Sequence, residues 1–451
     1  MSSKLNTQGK LEMVNNLLIA GWVVDQNVEV PKIEIYVNQK LYESTLCNKS
    51  RNDVAKAFSE SKNKLNAFVV NVNLKEGDVV EVYSEGVPLK GSPSIVSTKI
   101  TTAKIKSVEA ILKISDNVVK LNNITDVYFG RDPFPIEVYK VSNGSITNNG
   151  LVFVDGMLIK ESTALFNPEK GGLIDLSSDT LSLSYKYTVE SKDSVLSLCL
   201  YGIHNYYHFI FDFLQRAIIF NTLLSNGLLY NKIYIAHELE LDFQKKMFKE
   251  VLNIECRFLN SDTLYKFDEI YLIHPVRQNH FYNREALDSL SYALKRSYLY
   301  LDDSNCEMMA KNYIYISRKN QLNRKLVNED EIINYLDKKG FSIIYPEELS
   351  LEQQAKTFSQ ADFILGCSGA AFTNLIYCKE GCQVVEILPE SFIGTADTFW
   401  GSLCQSLDRG IHHTQLFSKS IDGLENLHKD SFKVDFLELQ AIVSDLLEAG
   451  K

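Results

Sequence analysis

The chain contains no run of about 18 apolar residues, so no membrane-spanning helix is expected. Its opening, Met1-Ser2-Ser3-Lys4-Leu5-Asn6, leads into polar sequence and lacks the apolar core of a secretory signal. Positive charge is scarce. There are 47 Lys and Arg against 57 Asp and Glu, and the net charge of −10 argues against a broad basic face for nucleic acid. A phosphate site built from a few arginines is still compatible with that balance. The eight cysteines (47, 199, 256, 306, 367, 378, 382 and 404) form no C-x-x-C pair. Cys378 and Cys382 have no second ligand pair near them in sequence, so no zinc site is expected, and the cysteines read as free thiols of a reducing cytoplasm. Neither G-x-G-x-x-G nor G-x-x-x-x-G-K-[ST] occurs, which argues against a Rossmann dehydrogenase and against a P-loop nucleotidase. What these absences leave is a cytoplasmic protein without a transmembrane segment, with peripheral contact at the inner face of the membrane left open.

At 451 residues, 45% hydrophobic and 23% charged, the chain has globular composition and length for two or three domains. Residues 10–95 read as short alternating strands. Leu17 to Asp25, Lys32 to Val37, Ala67 to Val72 and Val79 to Tyr83 are separated by turns such as Lys75-Glu76-Gly77-Asp78. That spacing predicts a small antiparallel sandwich over 1–97, with Gly86 to Ser97 as its exit. Residues 98–150, rich in Asn, Ser and Thr, read as a connecting segment with some strand. Strands and helices then alternate: a strand at Val195 to Leu200, a helix from Asn205 to Asn226, strands at Lys232 to Ala236 and Phe267 to Ile273, and a helix over 240–253 between them. This is one α/β lobe, 151–305.

The second lobe, 306–451, is the clearest. Tyr313 to Ser317 is a strand. Asn328 with Glu331 reads as a helix start, and that helix stops at Gly340. Phe341 to Tyr345 is a strand closed by Pro346, Ser350 with Gln353 opens a second helix, and Phe363 to Leu365 and Gln383 to Leu388 are strands. The alternation predicts a parallel sheet with right-handed crossovers, whose ligands bind beyond the carboxyl ends of the strands. Those ends carry Ser317-Arg318-Lys319 with Arg324 close behind, the turn Gly366-Cys367-Ser368-Gly369-Ala370-Ala371 running through Thr373 and Asn374 into a helix, and Glu386.

The chemistry suits a diphosphate. Gly366 and Gly369 let backbone N–H groups approach, the following helix start favours an anion, and Ser368 and Thr373 add hydroxyl donors. Arg318 offers a forked donor, Lys319 and Arg324 add charge, and Glu386 is placed to accept ribose hydroxyls. The competing reading is a tightly packed turn, solvated cations and a locally paired Glu386. In the first lobe, His204, His208 and Asp212 fall four apart along one helix face, where His208 or Asp212 can take a proton from an acceptor hydroxyl. A buried histidine in an aromatic helix is the plainer alternative. A metal site there lacks further ligands.

Read in order, Tyr315-Ile316-Ser317-Arg318-Lys319, Arg324, Asn328-Glu329, Tyr345-Pro346-Glu347, Gly366 to Asn374 and Val385-Glu386-Ile387, together with Asn205-Tyr206-Tyr207-His208 and Asp212, resemble glycosyltransferase family 61 over about residues 150–430. The resemblance implies two Rossmann-like lobes similar to the GT-B fold, behind the sandwich. It also implies an inverting, metal-independent hexosyl- or pentosyltransferase whose nucleotide sugar lies on the C-terminal lobe. Carried over by position, it places Arg318, Arg324, Gly369, Ala370 and Asn374 at the donor and His208 or Asp212 at the acceptor. Ser368 stands where many members have His. The sandwich is similar to accessory domains of bacterial surface-polysaccharide transferases. The expectation is therefore a capsule or surface-glycan glycosyltransferase acting on a glycan or lipid-linked acceptor. The competing expectation is a catalytically silent glycan-binding or scaffold protein.

Overall fold

The computed structural model describes residues 7–449 except 15–17, 26, 52–53, 56–57, 59–62, 64, 76, 97–99, 122–123, 164–172, 178–179, 279, 300–311, 322–323, 395–398 and 422–430. The boundaries expected after residues 97 and 305, as well as Glu76, Ser97 and Cys306, lie outside the described residues. Two compact units form. One comprises Met1–Val118, Ser142–Lys192 and Leu259–Glu269, the other Val119–Val141, Asp193–Phe258 and Ile270–Lys451.

In the first unit the N-terminal region is all β. Thr7–Val14, Leu18–Asp25 and Ala67–Asn71 pair antiparallel in one sheet, and Lys32–Val37, Lys40–Leu46, Val79–Ser84 and Val87–Pro88 form another. The alternating pattern explains why the two sheets share one core: Ile19, Val23, Phe68 and Val70 from the first meet Ile33, Ile35, Val80 and Val82 from the second. Each such buried side chain contributes roughly 1.5–3 kcal/mol. Gly21 is required here, because a Cβ would sit 2.3 Å from the Lys10 carbonyl oxygen and 2.8 Å from the Phe68 ring. Residues expected as a connector supply further strands, including Ile100–Lys106, which pairs antiparallel with Thr180–Ser184 and parallel with Met157–Ile159.

The second unit is mixed α/β. Its C-terminal half is a sheet of β1 (Tyr313–Ile316), β2 (Phe341–Ile344), β3 (Phe363–Cys367), β4 (Gln383–Pro389), β5 (His412–Ser420) and β6 (Phe432–Lys433), in the order β2-β1-β3-β4-β5-β6. The first five strands are parallel and β6 is antiparallel. The sequence reading stopped at β4, because the polar His412-His413-Thr414-Gln415 start of β5 has no apolar alternation. Ser350 and Gln353 form the expected capping box. Asn328 does not cap its helix. Its amide instead brackets the Val434 backbone, donating to the carbonyl at 3.0 Å and accepting from the N–H at 3.2 Å.

In the other half of this unit, Val195, Leu196 and Ser197 pair parallel with Ile233, Tyr234 and Ile235. The chain leaves the first of these strands and enters the helical stretch Tyr206–Ser225, capped by the Asn205 side chain on the Tyr207 N–H at 2.9 Å. Its middle, Phe209–Leu214, is π-helical, a distortion often found at functional sites. No helix among the described residues is long and apolar enough to cross a membrane.

Candidate functional site

The order 2-1-3-4-5 reverses between β1 and β3, and in an open parallel sheet the crevice beyond such a reversal is where ligands bind. Arg318 follows β1 and the Gly366–Ala371 turn closes β3. Gly366 lies beside Ile316 in the paired strands, and a Cβ on it would come 2.8 Å from the Ile316 Cβ. The Arg318 guanidinium lies over Gly369, where a Cβ would stand 2.4 Å from Nη1; the same nitrogen is 3.5 Å from the Ser368 carbonyl oxygen. The turn leads into Ala370–Tyr377, which winds as a 3-10 helix and not the expected α-helix. Its first N–H groups still lack intrahelical acceptors, as at any helix start.

A cleft of about 590 Å³ opens at this point. Ser317, Arg318, Cys367, Ala370 and Ala371 form one wall, and Tyr206, Asp242, Phe243 and Lys246, from the other half of the same unit, form the opposite one. Two of the contacts between the halves lie beside this cleft. The Tyr206 hydroxyl donates to Asn374 Oδ1 at 2.9 Å, and Lys246 pairs with Glu352 at 2.5 Å.

Glu329 fixes the Arg318 corner. It is 6% exposed, and its Oε1 accepts from the Tyr315 hydroxyl at 3.0 Å, the Ser317 hydroxyl at 2.9 Å and the Arg318 N–H at 2.8 Å. In sequence Glu329 looked like the first residue of a helix. Its job as an acceptor for the strand end became visible only when β1 and that helix were brought together.

The remaining donor candidates divide. Arg324 is half-buried beside Arg318, with its guanidinium 5.7 Å from the Phe392 ring centroid. Burial and the neighbouring Arg318 charge push it down to about 10. Lys319 is exposed and pairs with Asp330 at 2.7 Å. Ser368 is buried, its hydroxyl accepting from Trp400 Nε1 at 3.2 Å. Thr373 and Asn374 are fully buried, and Asn374 spends both ends of its amide on Tyr206 and Gln354. Glu386 sits inside β4 at 0% exposure, with Oε2 2.9 Å from His413 Nε2 and accepting from Gln415 at 3.3 Å. The local-pairing alternative therefore describes its observed contacts.

The expected helix face holds in part. His204 precedes the Asn205 cap and is exposed, so it does not share a helix face with the other two. His208 Nδ1 lies 2.7 Å from Asp212 Oδ2, and Asp212 Oδ1 accepts from Arg277 Nε at 3.3 Å. Asp212 is 3% exposed, whereas the His208 side chain is 23% exposed, so the imidazole is the member that meets solvent. Burial works to raise the Asp212 pKa, but the His208 hydrogen bond and the charges of Arg277, His208 and Arg216 outweigh it and hold the carboxyl below its ordinary value. The Arg277 guanidinium also lies 5.8 Å from the Tyr207 ring centroid, and Tyr207 contacts Trp400 edge to face at 5.5 Å. Through Trp400 and Tyr207 the turn at Ser368 and the His208–Asp212 pair share neighbours. Among the described residues no group of three or more His, Cys, Asp and Glu is placed to hold a metal ion.

Sequence reasoning missed Arg277 and Trp400, and it quoted Glu329 and Tyr206 within motifs without giving either a role. Each acts across 11 or more positions of the chain, and no local pattern marks such a partner. No curated protein matches the chain. The model of the family described as Glycosyltransferase 61 matches residues 206–385, a segment holding Tyr206, His208, Asp212, Arg277, Arg318 and the whole Gly366 turn. Over that segment the chain is similar to glycosyltransferase family 61, a likeness that suggests transferase activity.

Proposed function

We propose that the chain is an inverting, nucleotide-sugar-dependent glycosyltransferase with a two-lobed GT-B-like catalytic region. The observation that carries this reading is the Arg318 guanidinium lying over Gly369 at the strand-order reversal, with Arg324 behind it, in the wall of a cleft large enough for a nucleotide. In the reaction, His208 takes the proton from an acceptor hydroxyl through Nε2. Asp212, itself held by Arg277, keeps the Nδ1 proton and ring orientation and stabilises the imidazolium that forms. The hydroxyl oxygen bonds to the anomeric carbon as the bond to the nucleoside diphosphate breaks. The negative charge that develops on the leaving diphosphate falls to Arg318, Arg324 and the backbone N–H groups after Gly369. No metal is assigned to this step. Asp212 supports the base and is not the base itself, because it lies buried beneath His208. In its setting the enzyme works in the bacterial cytoplasm or at the inner membrane face, extending a capsule or surface glycan on a glycan or lipid-linked acceptor.

The test is donor turnover. The protein is incubated with a panel of nucleotide sugars and the release of nucleoside diphosphate is followed, with and without candidate acceptors. The wild type should turn over at least one donor and Arg318→Ala should not. Equal turnover by Arg318→Ala removes the donor assignment, and turnover of no donor despite nucleotide binding favours the silent scaffold.

A further inference from the structure

The first unit carries a cavity of its own, about 330 Å³, lined by Glu34, Tyr36, Gln39, Glu81, Tyr83 and Gly86. It follows from strand alternation. Ile33, Ile35, Val80 and Val82 fill the sandwich core, so the residues between them stand on the outer face. Register then makes a two-by-two pattern, with Glu34 opposite Tyr83 and Tyr36 opposite Glu81, so the tyrosines lie on one diagonal and the glutamates on the other. The tyrosine rings meet edge to face, 5.6 Å between centroids at 84°, which leaves both faces of the edge-on ring uncovered by its partner. Tyr83 donates its hydroxyl to Glu81 Oε1 at 3.2 Å, setting a carboxylate beside the rings. The ends are fixed by two tight turns, Asn38-Gln39 at φ 51 and 66 and Glu85-Gly86 at φ 48 and 73. These are left-handed pairs that match the strand twist and hold hairpins rigid.

We infer that this face is a binding site for an uncharged saccharide chain. A pyranose offers an apolar C–H face and a rim of hydroxyl donors. The cavity offers aromatic ring faces and two carboxylates, which only accept. The same carboxylates repel phosphate and uronate groups, so the chemistry selects against acidic sugars and free nucleotides. Lys32, 3.3 Å from Glu34, offsets part of the negative charge and disfavours a purely cationic ligand. The inference stands apart from the proposed transfer reaction, since the side chains it needs all belong to the N-terminal sandwich.

The experiment uses the full chain and calorimetric titration with neutral hexasaccharides of glucose, galactose, mannose and N-acetylglucosamine. At least one should bind, and binding should persist in Arg318→Ala, which separates this site from the cleft. The double variant Tyr36→Ala/Tyr83→Ala should bind about ten-fold more weakly or worse, the loss of about one aromatic contact. Glu34→Gln/Glu81→Gln, which keeps the shape of the face, should also weaken binding. Tyr36→Phe should keep most of it, and thermal midpoints should stay level. The inference is overturned by no binding across the panel, by binding that survives loss of both rings, by binding that disappears in Arg318→Ala, or by tetramethylammonium displacing the sugar as an equal competitor.

Discussion

Two alanine substitutions three residues apart should fail in opposite ways. Gly369 has φ 173, extended backbone that alanine adopts freely, so substitution carries no conformational strain. Its new Cβ would lie 2.4 Å from Arg318 Nη1 and 3.6 Å from Cζ, while carbon contacts settle at about 3.5–4.0 Å. The guanidinium must therefore withdraw by about 1 Å or more. It is the end of a flexible side chain, so the change in fold stability should stay within about 0.5 kcal/mol. What is lost is the position of the cation over the turn. A charge-assisted hydrogen bond is worth about 1.5–3 kcal/mol, or about 10- to 150-fold in the affinity for a nucleoside diphosphate. Gly366→Ala meets β1 instead, with Ile316 Cβ at 2.8 Å and its carbonyl oxygen at 3.2 Å inside a paired ladder that cannot yield. Overpacking there should cost about 1–3 kcal/mol. Thermal unfolding and calorimetric titration with nucleoside diphosphates separate the two. A Gly369→Ala protein that binds like wild type, or a Gly366→Ala protein that melts where wild type does, would refute the reasoning.

Glu329→Ala should leave three donors at the end of β1 without their acceptor. At about 1–3 kcal/mol each, less whatever water restores, the loss should be near 3 kcal/mol in urea denaturation, with weakened donor binding. Asp212→Asn should lower kcat by about 10²–10⁴ with KM little changed, because the imidazole loses the partner that sets its tautomer; an unchanged kcat contradicts the role given to the pair. The Asp212 pKa is depressed on folding, so its contribution to stability is present above the ordinary value of 3.8 and is lost as pH falls through the lower folded value. Asp212→Asn should accordingly flatten the acid limb of a stability profile. His274 shifts in the opposite sense for its charge. Burial, with the Arg216 charge, pushes it from 6.5 down to about 4. The unfolded chain takes up that proton first, so stability should fall between pH 6.5 and about 4 by on the order of 3 kcal/mol at most, and His274→Gln should remove part of the slope.

The parts of the fold that were legible in sequence are those decided locally. Ser350 and Gln353 form a reciprocal cap whose two partners are three residues apart, and the apolar runs of β1, β3 and β4 are buried on both faces and so read as continuous, while the edge strand β2 is marked by Gly340 before it and Pro346 after it. His208 and Asp212 were legible because one helical turn joins them. Asn328 was misread because the same amide that caps helices found the Val434 backbone 106 positions away. β5 hid behind polar residues because one of its faces serves buried polar partners. Gln415 supports Glu386, and so does His413. The turn at Gly366 was read as a close approach for a ligand and was grouped with Arg318, but the direct packing of Gly366 on Ile316 and of Gly369 under the Arg318 guanidinium was not read. Ile316 and Arg318 reach it only through the strand order, which periodicity does not encode. Arg277 lies 65 positions from the carboxylate it holds.

The central claim, that the Arg318–Gly369 corner binds the diphosphate of a nucleotide sugar, is tested most directly by calorimetric titration of wild type and Arg318→Ala with nucleoside diphosphates and their sugars. The account predicts saturable one-site binding of at least one of them to wild type, weakened 10-fold or more, roughly the loss of one charge-assisted bond, in Arg318→Ala with the fold intact. Equal binding by the two proteins, or no binding by either, would contradict it.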